Sequence, residues 1–348
     1  MRAIGARVHL PVSHPAFLEA FDAALPDPGP KDLRIRVMAV AVNPVDTKIR
    51  VSLGNAMADP PRILGWDAAG IVDAVGPEVV GFALGDEVFH AGDLTRPGCN
   101  AEFHLVDHRM AAKKPASWSW AECAALPLAS ITAWELMFDR MGIDPDSRDA
   151  GREMLVINGA GGVGSALIPL ARRAGLRVVA TASRPETRAW CLALGAHDVI
   201  DHRTALQPQV EALGIREFPF IANLSDTSAY WDTTTALIAP FGVLGLIVEP
   251  HGPLPIGDPL KAKCVRIAWE FMGARSRFGM ADLNRQGWIL QKIAQDCDAG
   301  MFPKIVTRVF DGLTVDHLRT AHDAMERGTA HGKWVLEMAG ASIDPPVS

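Results

Sequence analysis

The run Leu155-Val156-Ile157-Asn158 reads as a short strand and passes directly into Gly159-Ala160-Gly161-Gly162-Val163-Gly164, after which a helical pattern begins. The spacing is GxGxxG, and a strand before it with a helix after it is the context in which that spacing binds a dinucleotide. In such a turn Gly159 permits the tight reversal, Gly161 lets the backbone approach a pyrophosphate, and Gly164 allows helix and sheet to pack closely. Gly162 and Val163 complete the loop and open the helix, whose N-terminus supplies unpaired N–H groups and a positive dipole end for the phosphates. Pro169 inside that helix forgoes a hydrogen bond, and no function attaches to it.

The following strand bears on which dinucleotide is held. An NAD site carries Asp or Glu about 20 residues on, to accept from the ribose 2′-hydroxyl. Here the strand ends Thr181-Ala182-Ser183-Arg184, with Arg188 one helical turn further. Ser183, Arg184 and Arg188 would bind a 2′-phosphate through charge-assisted bonds, so the expected cofactor is NADPH. A short-chain dehydrogenase with this cofactor needs a Tyr-x-x-x-Lys pair to set its proton donor. The one tyrosine is Tyr230 and residue 234 is Thr, so that class is excluded.

These residues need elements to position them, and the chain has material for two domains. It is 348 residues long, 49% hydrophobic and 21% charged, which excludes a wholly disordered chain. With 34 basic against 40 acidic residues the net charge is −6, without the basic excess of a phosphate-backbone binder, and nothing argues for nucleic acid. The longest uncharged run, Met154 to Ala171, contains four glycines and a proline and is a poor membrane span. No apolar core follows the charged N-terminal residues, so no secretory signal is expected. The five cysteines, at 99, 123, 191, 264 and 297, form no CxxC, which fits a reduced, cytoplasmic compartment.

The first 120 residues read as short strands broken by Gly and Pro, including Leu33–Val40, Gly70–Val75, Glu87–Phe89 and Glu102–Val106. From Trp120 to about Asp139 a helical stretch is interrupted by Pro127. Strands at Met154–Asn158, Arg177–Ser183, Val199–Ile200, Pro219–Leu224, Gly242–Val248 and Cys264–Phe271 then alternate with helices near 163–174, 186–194, 228–239 and 281–299. That alternation means βαβ units and a parallel sheet. Beyond residue 300 the text returns to a strand at Ile305–Phe310, a helix near 314–327 and a strand at Lys333–Glu337. The expectation is an α/β chain in which a doubly wound parallel sheet (123–301) is inserted into a β-rich domain made of 1–122 and 302–348.

The order of these parts resembles the medium-chain dehydrogenase/reductase superfamily, and within it the quinone oxidoreductase (zeta-crystallin-like) branch and its zinc-type alcohol dehydrogenase-like subgroup. The matching stretches are Val42-Asn43-Pro44-Val45-Asp46-Thr47-Lys48, Leu64-Gly65-Trp66-Asp67-Ala68-Ala69-Gly70, Gly85-Asp86-Glu87-Val88, Leu126 to Trp134, the glycine fingerprint, Ala193-Leu194-Gly195-Ala196 and Gly332-Lys333. The resemblance implies a Rossmann domain inserted into a GroES-like domain. It also implies Asn43 and Asp46 beside the nicotinamide and its ribose, Thr132 near the carboxamide, and Lys333 near the cofactor.

Zinc-dependent relatives place a cysteine where Asn43 stands and a histidine where Trp66 stands, in a Gly-His-Glu motif that here reads Gly65-Trp66-Asp67. Neither a carboxamide nor an indole is a normal zinc ligand. The four-cysteine structural loop that would follow Val88 is reduced to Cys99, and His104 and His108 have no evident partner cluster. The expectation is therefore no metal. Without a Lewis acid nothing lowers the pKa of an alcohol, whereas an enone or quinone spreads arriving charge over a conjugated oxygen. The chain is thus read as an NADPH-dependent reductase of quinones or α,β-unsaturated carbonyls. Asn43 is the first candidate for an oxyanion donor and Tyr230 a second, with water an equal source of the proton. An aldehyde or ketone reductase of the same fold, and a non-catalytic NADPH-binding redox sensor, are the alternatives.

Trp66, Trp269, Phe271 and Met272 are candidates for an aromatic substrate pocket, with Trp66 equally readable as core filling. The resemblance further implies a homodimer through paired edge strands of two nucleotide domains, here Val265–Phe271.

Overall fold

The structure is a computed structural model and describes residues 1–146 and 148–338. The chain divides into two compact units, one made of Met1–Leu128 with the chain from Gly273 onward, the other of Ala129–Met272.

The first unit opens with β1 (Arg2–Ala6), β2 (Glu19–Asp22), β3 (Asp32–Ala41), α1 (Pro44–Ser52), β4 (Arg62–Ile63), β5 (Asp67–Val75), β6 (Glu87–Ala91), β7 (Phe103–Asp107), β8 (Ala111–Lys113) and α2 (Trp120–Ala124). β3 shows how the sequence sets its own orientation. Leu33, Ile35 and Val37 face the core, Arg34 and Arg36 alternate outward, and the strand then becomes wholly apolar as it enters the interior. Ser119 caps α2 through reciprocal bonds with Glu122, and Pro127 starts a new helix instead of merely breaking the old one.

The second unit contains α3 (Pro127–Trp134, its first two residues still counted with the first unit), a π-helical turn at Glu135–Arg140, β9 (Glu153–Ile157), α4 (Gly162–Arg173), β10 (Arg177–Thr181), α5 (Pro185–Ala193), β11 (Asp198–Ile200), α6 (Leu206–Ala212), β12 (Phe218–Asn223), α7 (Thr227–Leu237), β13 (Ile238–Leu246) and β14 (Arg266–Trp269). Its six strands are parallel in the order β11-β10-β9-β12-β13-β14. The order reverses direction between β9 and β12, which is where an open α/β sheet leaves a crevice for a ligand. Leu155, Ile157, Val179, Ile221 and Leu244 fill the sheet's interior.

The chain then returns through α8 (Ala274–Arg277), α9 (Asn284–Asp298), β15 (Val306–Asp311), α10 (Val315–Glu326) and β16 (Lys333–Glu337). β16 pairs antiparallel with β3, completing a seven-stranded sheet in the order β15-β16-β3-β5-β6-β8 with β7 also on β3; β1, β2 and β4 form a separate small sheet. The helix expected to close the parallel-sheet domain, α9, belongs instead to the first unit. A Cβ on Gly287 would meet the carbonyl oxygens of Arg109 and Ala111, so the missing side chain is what lets α9 lie against that segment. The division therefore falls after residues 128 and 272, not after 122 and 301. Among the described residues, no helix is long and apolar enough to cross a membrane.

Candidate functional site

The glycine loop is built from contacts that exclude side chains. A Cβ on Gly164 would lie 2.5 and 2.6 Å from the carbonyl oxygens of Gly159 and Asn158, and one on Gly159 would lie 2.8 Å from the Ala180 Cβ. The left-handed residue of the turn is Asn158, with φ of 64°, and not Gly159 as the fingerprint suggested. Asparagine tolerates that region because its short polar side chain bonds locally. Its backbone N–H donates to Thr181 Oγ1 at 3.0 Å, and its Nδ2 donates to the Leu224 carbonyl at 3.4 Å, across the point where the strand order reverses. Gly161 is the N-cap of α4 and brings no side chain to the helix terminus. The first-turn N–H groups at Gly162 and Val163 are thus left for an anion, and the cradle fits a pyrophosphate. α4 runs unbroken through Pro169.

At the end of β10, Ser183 and Arg184 are half-buried, and Arg184 Nε lies 2.6 Å from Glu186 Oε1. Arg188 does something else: its guanidinium donates to the carbonyls of Val199 at 2.8 Å and Ala182 at 3.4 Å, tying the ends of β10 and β11 together. Arg188 thus clamps two strand ends, while Arg184 is paired with Glu186. His202 lies just beyond β11. Burial lowers its pKa, Asp201 opposes that, and the charges of Arg203 and Arg184 lower it further.

The first unit holds a buried polar cluster. Asn43 caps α1, and its backbone N–H donates to Asp46 Oδ2 at 2.6 Å. Lys333 Nζ donates to Asp67 Oδ2 at 2.7 Å, to the Val42 carbonyl at 3.3 Å and to Asn43 Oδ1. Asp67 Oδ1 in turn accepts the Leu128 backbone N–H at 2.6 Å. Lys333 is 2% exposed and Asp67 0%. Burial raises the pKa of Asp67, opposed by Lys333. Burial likewise carries the Asp46 carboxyl up to about 7, against the pull of the Asn43 N–H and Lys333 and with the help of Asp67. The Cys99 thiol, 3.4 Å from the Asp67 carbonyl oxygen, is pushed up by burial and by Asp46, and so keeps its proton.

This geometry corrects the expected role of Asn43. Its two amide hydrogens go to Asp67 Oδ2 at 2.8 Å and to the Ala41 carbonyl at 3.4 Å, while its oxygen takes the lysine. No amide hydrogen remains for an oxyanion. Trp66 is likewise core and not a pocket wall: it is fully buried among Ile4, Leu64, Ala68 and Leu336, and its indole N–H donates to the Asp93 carbonyl at 3.2 Å. Tyr230 packs half-buried against the core of the parallel sheet, where burial and then Asp226 raise its pKa, the wrong direction for a proton donor at neutral pH. Trp269 and Phe271 are 47% and 43% exposed, at and just beyond the edge strand β14, while Met272 and Thr132 are buried. His104 stacks on His90 at 5.0 Å between ring centroids, and His108 Nδ1 meets the Lys31 carbonyl at 3.0 Å, so the two histidines serve different partners.

Comparison with known proteins agrees with this arrangement. Residues 29–116 match the family description "Alcohol dehydrogenase GroES-like domain" and residues 162–280 match "Zinc-binding dehydrogenase". A zinc-type alcohol dehydrogenase-like protein of Staphylococcus aureus is 36% identical over 339 residues, covering 97% of this chain and 100% of the relative. The human mitochondrial NAD(P)H oxidoreductase RTN4IP1 is 29% identical across 89% of this chain and 82% of that protein. A solved Rhizobium etli structure named for zinc-dependent alcohol dehydrogenases is 42% identical, with a TM-score of 0.92 over 98% of this chain and 99% of that one.

The zinc in those names can be tested against the residues here. The buried cluster offers a carboxamide oxygen already bonded to an ammonium, a carboxylate paired with the same ammonium, and a single thiol bonded to the Asp67 carbonyl oxygen. Among the described residues no three His, Cys, Asp or Glu side chains are grouped to hold a metal. The donor set does not fit a zinc ion, which takes thiolate, imidazole or unencumbered carboxylate.

Proposed function

The chain is an NAD(P)-dependent oxidoreductase of the medium-chain dehydrogenase/reductase superfamily, one of its zinc-type alcohol dehydrogenase-like proteins, and from that premise we propose that it reduces quinones or α,β-unsaturated carbonyls with NADPH and without zinc. The observation that carries the reading is the Lys333–Asn43–Asp67 cluster, whose side chains are bonded to one another and not disposed around a metal. With no Lewis acid to lower a hydroxyl pKa, the favoured substrate is one whose own conjugation accepts the charge.

The dinucleotide, when bound, supplies a hydride from nicotinamide C4. Gly159 and Gly164 let the turn pack against β10 and against its own backbone, Gly161 brings no side chain to the α4 terminus, and the N–H groups of Gly162 and Val163 there would hold the phosphates. Ser183 and Arg184 select the 2′-phosphate, in the absence of a carboxylate at the end of β10 that would repel it. Water delivers the second hydrogen, since the Asn43 hydrogens are occupied and Tyr230 is tuned upward. The exposed apolar edge of β14 supports a homodimer through that strand.

The test is NADPH oxidation against quinones, enones and saturated aldehydes, with and without chelator and with NADH as control. Chelator-insensitive turnover on quinone or enone supports the proposal. Turnover confined to saturated carbonyls, or lost on chelation, rejects it. Tight NADPH binding with no turnover on any electrophile would favour a redox sensor instead.

A further inference from the structure

We propose that the Lys333 ammonium is a built-in cation that takes the place of a metal ion, drawing Asn43 and Asp67 together and holding three distant chain segments in register. The inference deepens the zinc-independent reading above and rests on it. An ammonium has three donors, and the three acceptors about Lys333 Nζ are the Val42 carbonyl, Asn43 Oδ1 and Asp67 Oδ2. They come from the residues before α1, the start of β5 and, with the lysine itself, the start of β16. Asp67 extends the tie to a fourth point through the Leu128 N–H. A metal ion performs the same two tasks, supplying charge to buried oxygens and fixing the strands that carry them.

The delivery of the lysine is built into the backbone. Gly332 sits at φ of 55°, and a Cβ there would lie 2.4 Å from Thr307 Cγ2 and 2.8 Å from the Ile305 carbonyl oxygen. The Lys333 N–H then donates to that same carbonyl at 2.8 Å, so the side chain enters the interior along a fixed path. The oxygens a divalent ion would seek are thereby already taken. Its approach would set a second positive charge beside a buried one, which the low dielectric of the interior opposes.

The test uses the full chain. Lys333→Met, Asp67→Asn and the double variant are compared by thermal midpoint. Lys333→Ala is compared with and without ethylammonium chloride, against sodium chloride at equal ionic strength. Each single variant should melt about 5–10 °C below the parent, because an unpaired charge stays buried, and the double should lie nearer the parent than either. Ethylammonium, but not sodium, should recover a substantial part of the Lys333→Ala loss, and the parent should hold well under one zinc per chain after dialysis. A Lys333→Met midpoint within about 1 °C of the parent, strictly additive losses in the double, no amine-specific recovery, or stoichiometric zinc in the parent would each overturn the proposal. If the single variants do not fold, the parent's metal content and the double variant still decide. Amine recovery in a protein that reduces no quinone or enone would leave this inference standing and remove the substrate reading alone.

Discussion

Lys333 and Asp67 are 266 residues apart in the chain and 2.7 Å apart in the structure. The pair fastens the returning end of the chain to the start of β5, while β16 lies antiparallel on β3 with Val335 opposite Ala41. Both charges are buried, so the pair contributes little net stability over an apolar alternative but is costly to break from one side. The polar groups around it inherit that constraint.

Asp46 gives the cluster a pH dependence. Its pKa of about 7 in the folded chain is above the unfolded carboxyl value of about 3.9. Its stabilising contribution is therefore complete below about pH 4 and is lost as pH rises toward 7, at up to about 1.4 kcal/mol per pH unit. Chemical denaturation at pH 5 and pH 8 should show the parent losing more stability across that interval than Asp46→Asn. Equal losses would mean that Asp46 remains ionised throughout.

Arg184 should discriminate between the two dinucleotides. Arg184→Ala is expected to raise the NADPH dissociation constant by about 10–100-fold, as for loss of a charge-assisted bond of about 1.5–3 kcal/mol, and to change that of NADH less than about threefold. Fluorescence titration with both cofactors measures it. Because Glu186 holds Arg184 at 2.6 Å, Glu186→Gln should shift affinity the opposite way, toward tighter NADPH. Equal losses for both dinucleotides in Arg184→Ala would remove the phosphate role.

Much of this architecture is legible in the sequence, and the exceptions have physical causes. Periodicity finds α4, α5, α7 and α10 within two residues, because each buries one apolar face against its unit. The glycine spacing finds the phosphate cradle, because a missing Cβ is visible as a residue type. Periodicity does not say which unit a helix joins, and α9 was misassigned because its docking depends on Gly287 meeting a distant carbonyl. Asp67 was passed over as a site residue because its role depends on a lysine 266 positions away. For Trp66 and Asn43 the residue types were informative but their partners, the Asp93 carbonyl and the Lys333 ammonium, were not.

The glycines should differ in tolerance according to what each hydrogen faces. Gly164→Ala would drive a methyl group against two backbone oxygens that cannot move without breaking the turn, so a loss of about 2 kcal/mol or more, with loss of cofactor binding, is expected. Gly161→Ala meets the Asn158 side-chain amide at 2.9 Å, which can swing aside. It should fold nearly as the parent and weaken the dinucleotide selectively. Midpoints and cofactor titrations of the two variants separate these outcomes.

Asn43 offers the sharpest division between holding and reacting. With both amide hydrogens donated inward and its oxygen on Lys333, Asn43→Ala leaves a buried ammonium short of one acceptor and Asp67 short of one donor. The cost of such losses is about 1.5–3 kcal/mol, or a midpoint lower by several degrees in a chain of this length. Turnover on the best electrophile, measured well below that midpoint, should fall by less than about tenfold, or about 1.4 kcal/mol, because no hydrogen bond to the reacting oxygen has been removed. The contrary result, a fall of about a hundredfold or more with an unchanged midpoint, would mean that the amide turns outward when substrate is bound and serves as the oxyanion donor after all. Asn43→Asp distinguishes the cases from the other side. It keeps an acceptor for Lys333 but sets a carboxylate where the amide donated to Asp67 Oδ2 at 2.8 Å, so a purely internal role predicts a loss of stability at least as large as in Asn43→Ala and the same modest effect on turnover.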